Sequence, residues 1–364
     1  MSEYFHKILI FLAAVMLMLA ACTAPATSEK TPPASPVPET EAPKEVLTVM
    51  THDSFAVSEQ VLQAFIAAHG IEVQFLKSGD TGTALNKAIL AKGAPLADVF
   101  YGVDNTFLSR ALDEEIFEPY KSPLLAEIPD SFELDPNHRA LPVDYGDVCL
   151  NYDKFFFAEH NLPPPQNLAD LLDPEYKGLL VVENPATSSP GLAFLLATIG
   201  HFGEDGYLDY WRGLVKNDVL VVNDWELAYY NEFTRSGGTR PIVVSYGSSP
   251  PFEVIFSETP IEEPPTAAVV SDGSCFRQIE FVGILKGTQK RSQAEAWIDF
   301  MLSPTFQEDV PLQMFVFPVN ENASLDETFQ KYLAIPDNPA YVSPQDIAAK
   351  REAWIKAWTE VVLR

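Results

Sequence analysis

The chain has 364 residues, and 47% of them are hydrophobic, so it is long enough to build two lobes of ordinary domain size around buried cores. Its 51 Asp and Glu residues outnumber its 24 Lys and Arg residues, which gives a formal net charge of -27. This balance argues against a nucleic-acid partner, because nucleic-acid-binding proteins present basic surfaces. It is compatible with a cationic ligand, although most acidic proteins are acidic for solubility.

Residues 1–21 are predicted to be a secretory signal peptide. His6 and Lys7 precede the apolar run 8–19, which is too short for an ordinary membrane-spanning helix and ends in small residues. The segment Leu-Ala-Ala-Cys at 19–22 resembles the lipobox of bacterial lipoproteins, which implies cleavage before Cys22 and lipidation of its thiol. The alternative is a signal peptide without lipidation.

Residues 22–46 are predicted to be a lipidated cysteine followed by a tether. The stretch after Cys22 is rich in Pro, Thr, Ser, Glu and Lys and has almost no large apolar side chain, so it has too little to bury to fold by itself. Export would permit a disulfide, and only Cys149 and Cys275 remain to form one. Two possibilities stay open: a disulfide bridge between these cysteines, or two free thiols.

From residue 47 onward, short apolar strands alternate with amphipathic helices, which predicts an α/β fold with parallel strands. The predicted strands are 47–51, 71–76, 96–101, 140–145, 148–152, 179–183, 219–222, 242–244 and 279–285. The predicted helices include 192–202, 207–215, 225–233, 294–302 and a last one that begins near Ser343 and Asp346. We expect lobe 1 to hold 47–141 plus about 276–318, and lobe 2 to hold 142–275 plus about 319–364.

The stretch Pro241–Phe252 carries the clearest ligand-binding pattern. An apolar strand at 242–244 is followed by Ser, Tyr, Gly, Ser, Ser, Pro and Pro. Ligands of open α/β proteins lie at the carboxyl ends of strands, so these hydroxyls and aromatic rings are candidates for a ligand site. A surface loop with no ligand is the alternative.

Two further loops, 79–83 and 187–191, each follow a strand and begin a helix. The free amides of a helix start, together with hydroxyl groups, can bind an anion. Neither loop has the lysine of a Walker sequence, and simple helix capping is the alternative for each. The aromatic residues Trp225, Tyr246, Phe252 and Phe315 add faces that bind cations and flat heterocycles.

Metal binding and catalysis are less well supported by the sequence. The histidines and cysteines show no metal-binding spacing, so we expect no metal site and no cofactor. The adjacent Tyr229 and Tyr230 could bind a ferric ion only if the helix breaks there, because neighbours on a helix point about 100° apart. Cys149 could be a nucleophile with Asp144 or Asp147 as base, but a small buried thiol is the simpler interpretation.

A set of motifs in one order covers nearly all of the chain after Val46. They are LTVMTHDSF (47–55), SGDTGTALNKA (78–88), ADVFYGVDNTFL (97–108), PVDYG (142–146), ENPATSSPGLAFLL (183–196), DWELAYY (224–230), VVSYGSSP (243–250), FVFPVN (315–320) and AKREAWIKAW (349–358). As a set they resemble the thiamine-binding receptors of bacterial ABC importers. The resemblance implies the α/β type II periplasmic-binding-protein fold, with two lobes, each a mixed and mostly parallel sheet flanked by helices, and a ligand in the cleft between them.

The resemblance also implies a set of ligand-binding residues. They are Asp80, Thr81, Ser188, Ser189, Trp225, Tyr246, Gly247, Ser248, Ser249, Phe252, Phe315 and His52. Five of these depart from the family pattern: Thr81 replaces a glycine, Gly247 a threonine, Phe252 a tyrosine, Phe315 a tryptophan and His52 a tyrosine. Asp53 and Asp144 are our added candidates for polar partners of the aminopyrimidine or of the thiazolium charge.

The implied function is capture of thiamine or its phosphates by a monomeric, lipid-anchored, extracytoplasmic receptor that delivers the ligand to an ABC permease. Closure would use hinge segments near 141–146 and 275–280. The departures from the family pattern leave the vitamer open. Two alternatives remain: a ferric-ion receptor that uses Tyr229 and Tyr230, and an enzyme resembling type I thiaminases with Cys149 as nucleophile, against our expectation that the protein is not an enzyme.

Overall fold

The computed structural model describes residues 45–364, which contain eleven strands and eleven α-helices, together with short 3-10 and π-helical segments. The strands are β1 (Glu45–Thr51), β2 (Ile71–Lys77), β3 (Val99–Asp104), β4 (Phe117–Glu118), β5 (Leu141–Asp153), β6 (Leu180–Glu183), β7 (Leu220–Val222), β8 (Ile242–Tyr246), β9 (Thr266–Val269), β10 (Phe276–Leu285) and β11 (Phe317–Pro318). The helices are α1 (Glu59–His69), α2 (Thr81–Leu90), α3 (Leu108–Asp113), α4 (Lys154–Glu159), α5 (Ser189–Lys216), α6 (Ser249–Ile255), α7 (Arg291–Leu302), α8 (Pro304–Gln307), α9 (Val310–Met314), α10 (Glu327–Tyr332) and α11 (Pro344–Val362). The predicted signal peptide and Cys22 lie outside the described residues.

The strands form one continuous mixed sheet in the order β2-β1-β3-β10-β5-β8-β6-β7, with β4 beside β10 and with β9 and β11 beside β5. Strand β1 is parallel to β2 and β3, and β6 is parallel to β7 and β8. Between these two parallel groups, β10 and β5 pair antiparallel. The predicted α/β class is confirmed, and the two groups of strands share a single sheet through β5 and β10.

Local predictions hold where a periodic pattern is long and uninterrupted. The helices predicted at 192–202 and 207–215 are the two parts of α5, which is broken at Gly203, where φ is 75°. The cap predicted for the last helix is present, since the Ser343 hydroxyl accepts a bond of 3.0 Å from the Asp346 amide. Trp358 on that helix packs edge-on against Trp211 of α5 with ring centroids 5.4 Å apart, so its aromatic stripe belongs to the core.

Other local predictions are wrong, and backbone chemistry explains why. The strands predicted at 140–145 and 148–152 are one strand, β5. The turn predicted after Tyr246 is brief, because α6 begins at Ser249 with Pro250 and Pro251 in its first turn, where a missing amide N–H costs nothing. The helix predicted at 225–233 is instead a π-helical segment, Leu227–Glu232. Among residues 45–364 no helix is long and apolar enough to cross a membrane.

A disulfide joins Cys149 on β5 to Cys275, the residue just before β10. The two cysteines are 126 residues apart in sequence. The bridge therefore fastens together the two strands that link the parallel groups. Because the Cys149 sulfur is bonded to Cys275, it has no thiolate to offer as a nucleophile in this structure.

We expect the disulfide to stabilise the fold strongly, because it closes a long loop in the unfolded chain. Replacing both Cys149 and Cys275 by Ser should lower the free energy of unfolding by about 3–5 kcal/mol in urea titrations. Thiol counting on the denatured, unreduced protein with Cys22→Ser should find no free thiol. Reaction of both cysteines under those conditions would show that the bridge is absent.

Candidate ligand-binding site

The starts of helices α2 and α5 meet face to face. The Gly82 amide in the first turn of α2 donates a 3.1 Å bond to the Thr187 carbonyl just before α5. A Cβ atom at Gly82 would lie only 2.9 Å from the carbonyl oxygens of Ala186 and Thr187, so the contact requires glycine. The two loops that the sequence singled out, 79–83 and 187–191, are therefore brought together.

A partly buried carboxylate, Asp80, lies at this junction. Its Oδ1 accepts a 2.8 Å bond from the Thr81 amide, and its Oδ2 accepts a 3.3 Å bond from the Trp225 amide. The Ser188 hydroxyl donates to the same carboxylate. Burial raises the pKa of Asp80 to about 6, and these hydrogen bonds oppose the rise.

A second buried carboxylate, Asp104, lies at the start of α5. It accepts a hydrogen bond from the Ser189 hydroxyl and further bonds from the amide and hydroxyl of Thr106. The Thr81 hydroxyl donates to the Gly102 carbonyl at 2.9 Å. The hydroxyls predicted to bind an anion are thus already used, and a carboxylate occupies each helix start. This geometry favours a cation over a phosphate.

Six of the predicted residues surround a small inner cavity of about 30 Å³. They are His52, Asp80, Thr81, Ser189, Trp225 and Tyr246, joined by Ser54, Pro190, Glu280, Met314 and Val316. The volume is about that of one water molecule, whereas pockets for small organic ligands are several hundred Å³. The site is closed in this structure, so a ligand enters only after its walls separate.

The remaining predicted residues lie outside this lining. The Gly247 amide donates to the Asp147 carbonyl at 2.8 Å, the Ser248 hydroxyl donates to the Phe315 carbonyl, and the Ser249 hydroxyl accepts from the Tyr246 amide at 3.3 Å. Asp53 accepts a 2.8 Å bond from the Gly79 amide, and Asp144 is bonded to Tyr101. In the closed structure these residues support the loops that carry the lining.

Phe252 and Phe315 line a different feature, an outer groove of about 1300 Å³. Its aromatic lining also includes Tyr229, Tyr230, Phe155 and Phe256. The Phe315 ring lies between the inner cavity and the groove, with its centroid 6.1 Å from Trp225 and 4.0 Å from Phe252. Phe315 has a φ of 62°, a left-handed conformation that is uncommon outside glycine.

The arrangement of Tyr229 and Tyr230 does not support the ferric-ion alternative. Their rings are nearly perpendicular, and the Tyr229 hydroxyl donates a 3.0 Å bond to Glu253. The Tyr229 ring stacks on Trp225 with centroids 5.1 Å apart, which uses it for packing. Within residues 45–364 no group of three or more His, Cys, Asp or Glu side chains could hold a metal ion.

Sequence reasoning missed the pair formed by Glu280 and Asp144, which lie opposite each other on β10 and β5. The Tyr101 hydroxyl is 2.6 Å from Asp144 Oδ2 and 3.0 Å from Glu280 Oε2. Burial raises the pKa of Asp144 to about 6 and raises that of Glu280 well above its usual range, and burial lowers the pKa of His52 to about 4. A Glu inside the predicted strand 279–285 was the available signal, because a charged residue within an apolar strand needs a partner.

The comparisons with known proteins agree with this geometry. Residues 94–338, about two thirds of the chain, match the family described as bacterial extracellular solute-binding protein. The chain belongs to this family. It is 31% identical over 328 residues to the thiamine-binding periplasmic protein of Escherichia coli, covering 88% of this chain and 94% of that protein. The protein of the same name from Brucella suis is 28% identical over 88% of this chain and 93% of that protein.

Comparison with solved structures also finds similarity to periplasmic binding proteins. A periplasmic thiamin binding protein aligns with a TM-score of 0.77 and 29% identity, covering 88% of this chain and 97% of that one. Iron-bound HitA from Pseudomonas aeruginosa aligns with a TM-score of 0.69 at 19% identity, covering 86% and 99%, and shows the shared fold alone. The type II periplasmic-binding-protein fold and the resemblance to thiamine-binding receptors are confirmed.

The buried carboxyls predict how stability depends on pH. Burial raises the pKa values of Asp80, Asp104, Asp144, Glu183 and Glu280. The folded protein therefore holds more protons than the unfolded chain between the ordinary and the raised values, and its free energy of unfolding falls as pH rises from about 4 to about 7. Asp80 alone contributes a cost on the order of 3 kcal/mol at neutral pH.

Urea unfolding of the ligand-free protein should accordingly show greater stability near pH 5 than near pH 8. Asp80→Asn should flatten this dependence, since the amide has no proton to lose. Asp205→Asn, at an exposed position, is the matched control and should leave the slope unchanged. A wild-type protein whose stability rises across this range would contradict the expectation.

Proposed function

We propose that this protein is an extracytoplasmic receptor that captures thiamine, or a thiamine phosphate, and delivers it to an ABC permease without chemical change. The observation that carries the proposal is the inner cavity itself, in which the Trp225 and Tyr246 rings meet the carboxyl groups of Asp80, at the start of α2, and of Glu280, on β10. Family membership and the names of the relatives support the choice of ligand.

The chemistry of thiamine suits these side chains. Its thiazolium carries a permanent positive charge and its aminopyrimidine is flat, so both rings gain from aromatic faces and from carboxylates. Trp225 is held in place by its indole N–H, which donates a 3.0 Å bond to the Ser245 hydroxyl. Asp80 and Glu280 supply negative charge on the same lining.

Binding would require a hinge motion. The inner cavity is far too small for thiamine, so entry separates α2 from α5 and breaks the Gly82–Thr187 and Ser189–Asp104 bonds. Strands β5 and β10 run continuously between the two lobes, and they contain the hinge segments expected near 141–146 and 275–280. We propose that the lobe boundaries follow these segments, and that closure on the ligand produces the form the permease recognises.

Titration calorimetry tests the proposal. The protein is first unfolded and refolded to remove co-purified ligand. We expect one thiamine to bind per chain, and to bind more tightly than thiamine monophosphate, because Asp80 and Asp104 oppose an added anion. Tighter binding of the monophosphate would restore the anion sites that the sequence predicted. The absence of heat with both compounds would overturn the assignment of ligand.

Removing the Trp225 ring should weaken thiamine binding by about tenfold or more, because ring stacking and burial of this size contribute one to several kcal/mol. Trp225→Phe should recover part of the loss. Tyr341→Ala removes an exposed ring, 76% accessible, and is the control that should bind normally. Unchanged affinity in Trp225→Ala would remove this residue from the site.

We also propose that the protein is anchored to the membrane through lipidated Cys22, as the lipobox-like sequence indicates. Cys22→Ser should move the protein from the membrane fraction to the soluble fraction of the expressing bacterium and prevent labelling with a fatty-acid probe. The Asp205→Asn change, at an exposed position of the folded part, is the control and should leave the protein in the membrane fraction. Membrane retention of the Cys22→Ser protein would contradict anchoring by this route.

A further inference from the structure

The two strands that would form the hinge carry a pair of facing acids. Asp144 of β5 lies opposite Glu280 of β10, and the negative charge of Asp144 acts directly on the Glu280 carboxyl. Tyr101 of β3 places its hydroxyl within reach of both. A phenol has one proton to donate, so it can satisfy one carboxylate at a time. Two carboxyls held this closely away from water share a proton, because ionising both would place like charges side by side.

Two polar atoms of the described residues, one beside this pair and one within it, are not used in hydrogen bonds. Within residues 45–364, His52 Nε2 and Asp144 Oδ1 have no hydrogen-bond partner, although both residues are more than nine-tenths buried. His52 Nε2 lies 3.6 Å from Glu280 Oε1, which is longer than a hydrogen bond. His52 and Glu280 both line the inner cavity. Buried polar atoms without a partner are costly. His52 Nε2 belongs to a lining residue, and Asp144 lies behind the lining as the partner of Glu280.

The surroundings of the pair are negative. Asp104 of β3 adds to the potential at Glu280, and Tyr246 of β8 is the neutral hydroxyl that faces it. Asp80 lies on the same cavity wall. Lys77 of β2 acts on His52 together with Asp53, and its ammonium donates a hydrogen bond to the Asp53 carbonyl. Among the described lining residues none is a lysine or arginine.

We propose that the Asp144–Glu280 pair is the counter-charge of the ligand and that a cationic ligand enters by displacing the proton that this pair holds. Before binding, the pair holds one proton and one negative charge. After binding, it holds two negative charges beside one positive charge, and the proton has gone to solvent. Net charge at the site is therefore the same in both states. The inference rests on the proposed function and names the residues that receive the positive charge.

The physical basis is competition between two cations for one pair of acids. A fixed positive charge close to the carboxyls lowers the free energy of their second ionisation, so the proton leaves more easily when the ligand is present. By linkage, thiamine must then bind more tightly as pH rises, with a dissociation constant that falls up to about tenfold per pH unit between the bound and free pKa values of the pair. Neutral His52 leaves Nε2 available to the ligand.

Calorimetry in two buffers of different ionisation enthalpy measures the protons released. With refolded, ligand-free protein and thiamine near pH 7, we expect release approaching one proton per site, and a dissociation constant that falls between about pH 6 and about pH 8. Thiamine that binds without proton release, and with no dependence on pH, would overturn this inference and leave the proposed function intact. Failure of thiamine to bind at all would instead overturn the proposed function.

Substitutions in the pair test whether the proton released on thiamine binding comes from Asp144 and Glu280. Glu280→Gln should lose proton release and the pH dependence, and should bind thiamine at least about tenfold more weakly near pH 8. Asp144→Asn should behave in the same way and serves if Glu280→Gln does not fold, as judged by thermal unfolding. Glu159→Gln makes the same change at an exposed position of α4, and this control should release protons as the wild type does. Proton release that persists in both pair variants would overturn the assignment.

Discussion

The antiparallel pairing of β5 with β10 is the contact on which the rest of the structure depends. Since β10 also pairs with β3 and β5 also pairs with β8, it joins the parallel group β1–β3 to the parallel group β6–β8 in one sheet. The register of the pair sets Glu280 opposite Asp144, and a disulfide fastens the strands beyond that point. The site, its acids and its proposed hinge all follow from how these two strands align.

The groups around the inner cavity lower the stability of the folded protein. The carboxyl groups of Asp80 and Glu280 line it without a matching cation among the described lining residues. Glu183, which lies close enough to interact with the Asp80 charge, has no hydrogen-bond partner for either carboxyl oxygen within residues 45–364. Unsatisfied buried charge lowers stability, and natural proteins retain it where function depends on it. A cationic ligand would relieve that cost directly, so this site gains more from a cationic ligand than a neutral pocket would.

Local patterns in the sequence predicted much of the fold, because apolar strands and amphipathic helices are encoded by neighbouring residues. Local patterns, aided by the family motifs, also identified the site candidates Trp225, Tyr246 and Asp80. The Asp144–Glu280 pair was missed because its partners are 136 positions apart and meet only through the register of β10 on β5, which shifts between Glu280 and Phe281. The early start of α6 was missed because two prolines read as a turn when a helix can also begin with them.

The disulfide has a further consequence for the connectivity of the molecule. Cys149 and Cys275 close the chain between them into a covalent ring that contains β6, β7, β8 and β9. That segment behaves as an insertion whose two ends are held at one place, so a protease cut within it would leave both fragments attached. The same property makes its exposed loops suitable positions for new chain ends in a circularly permuted receptor.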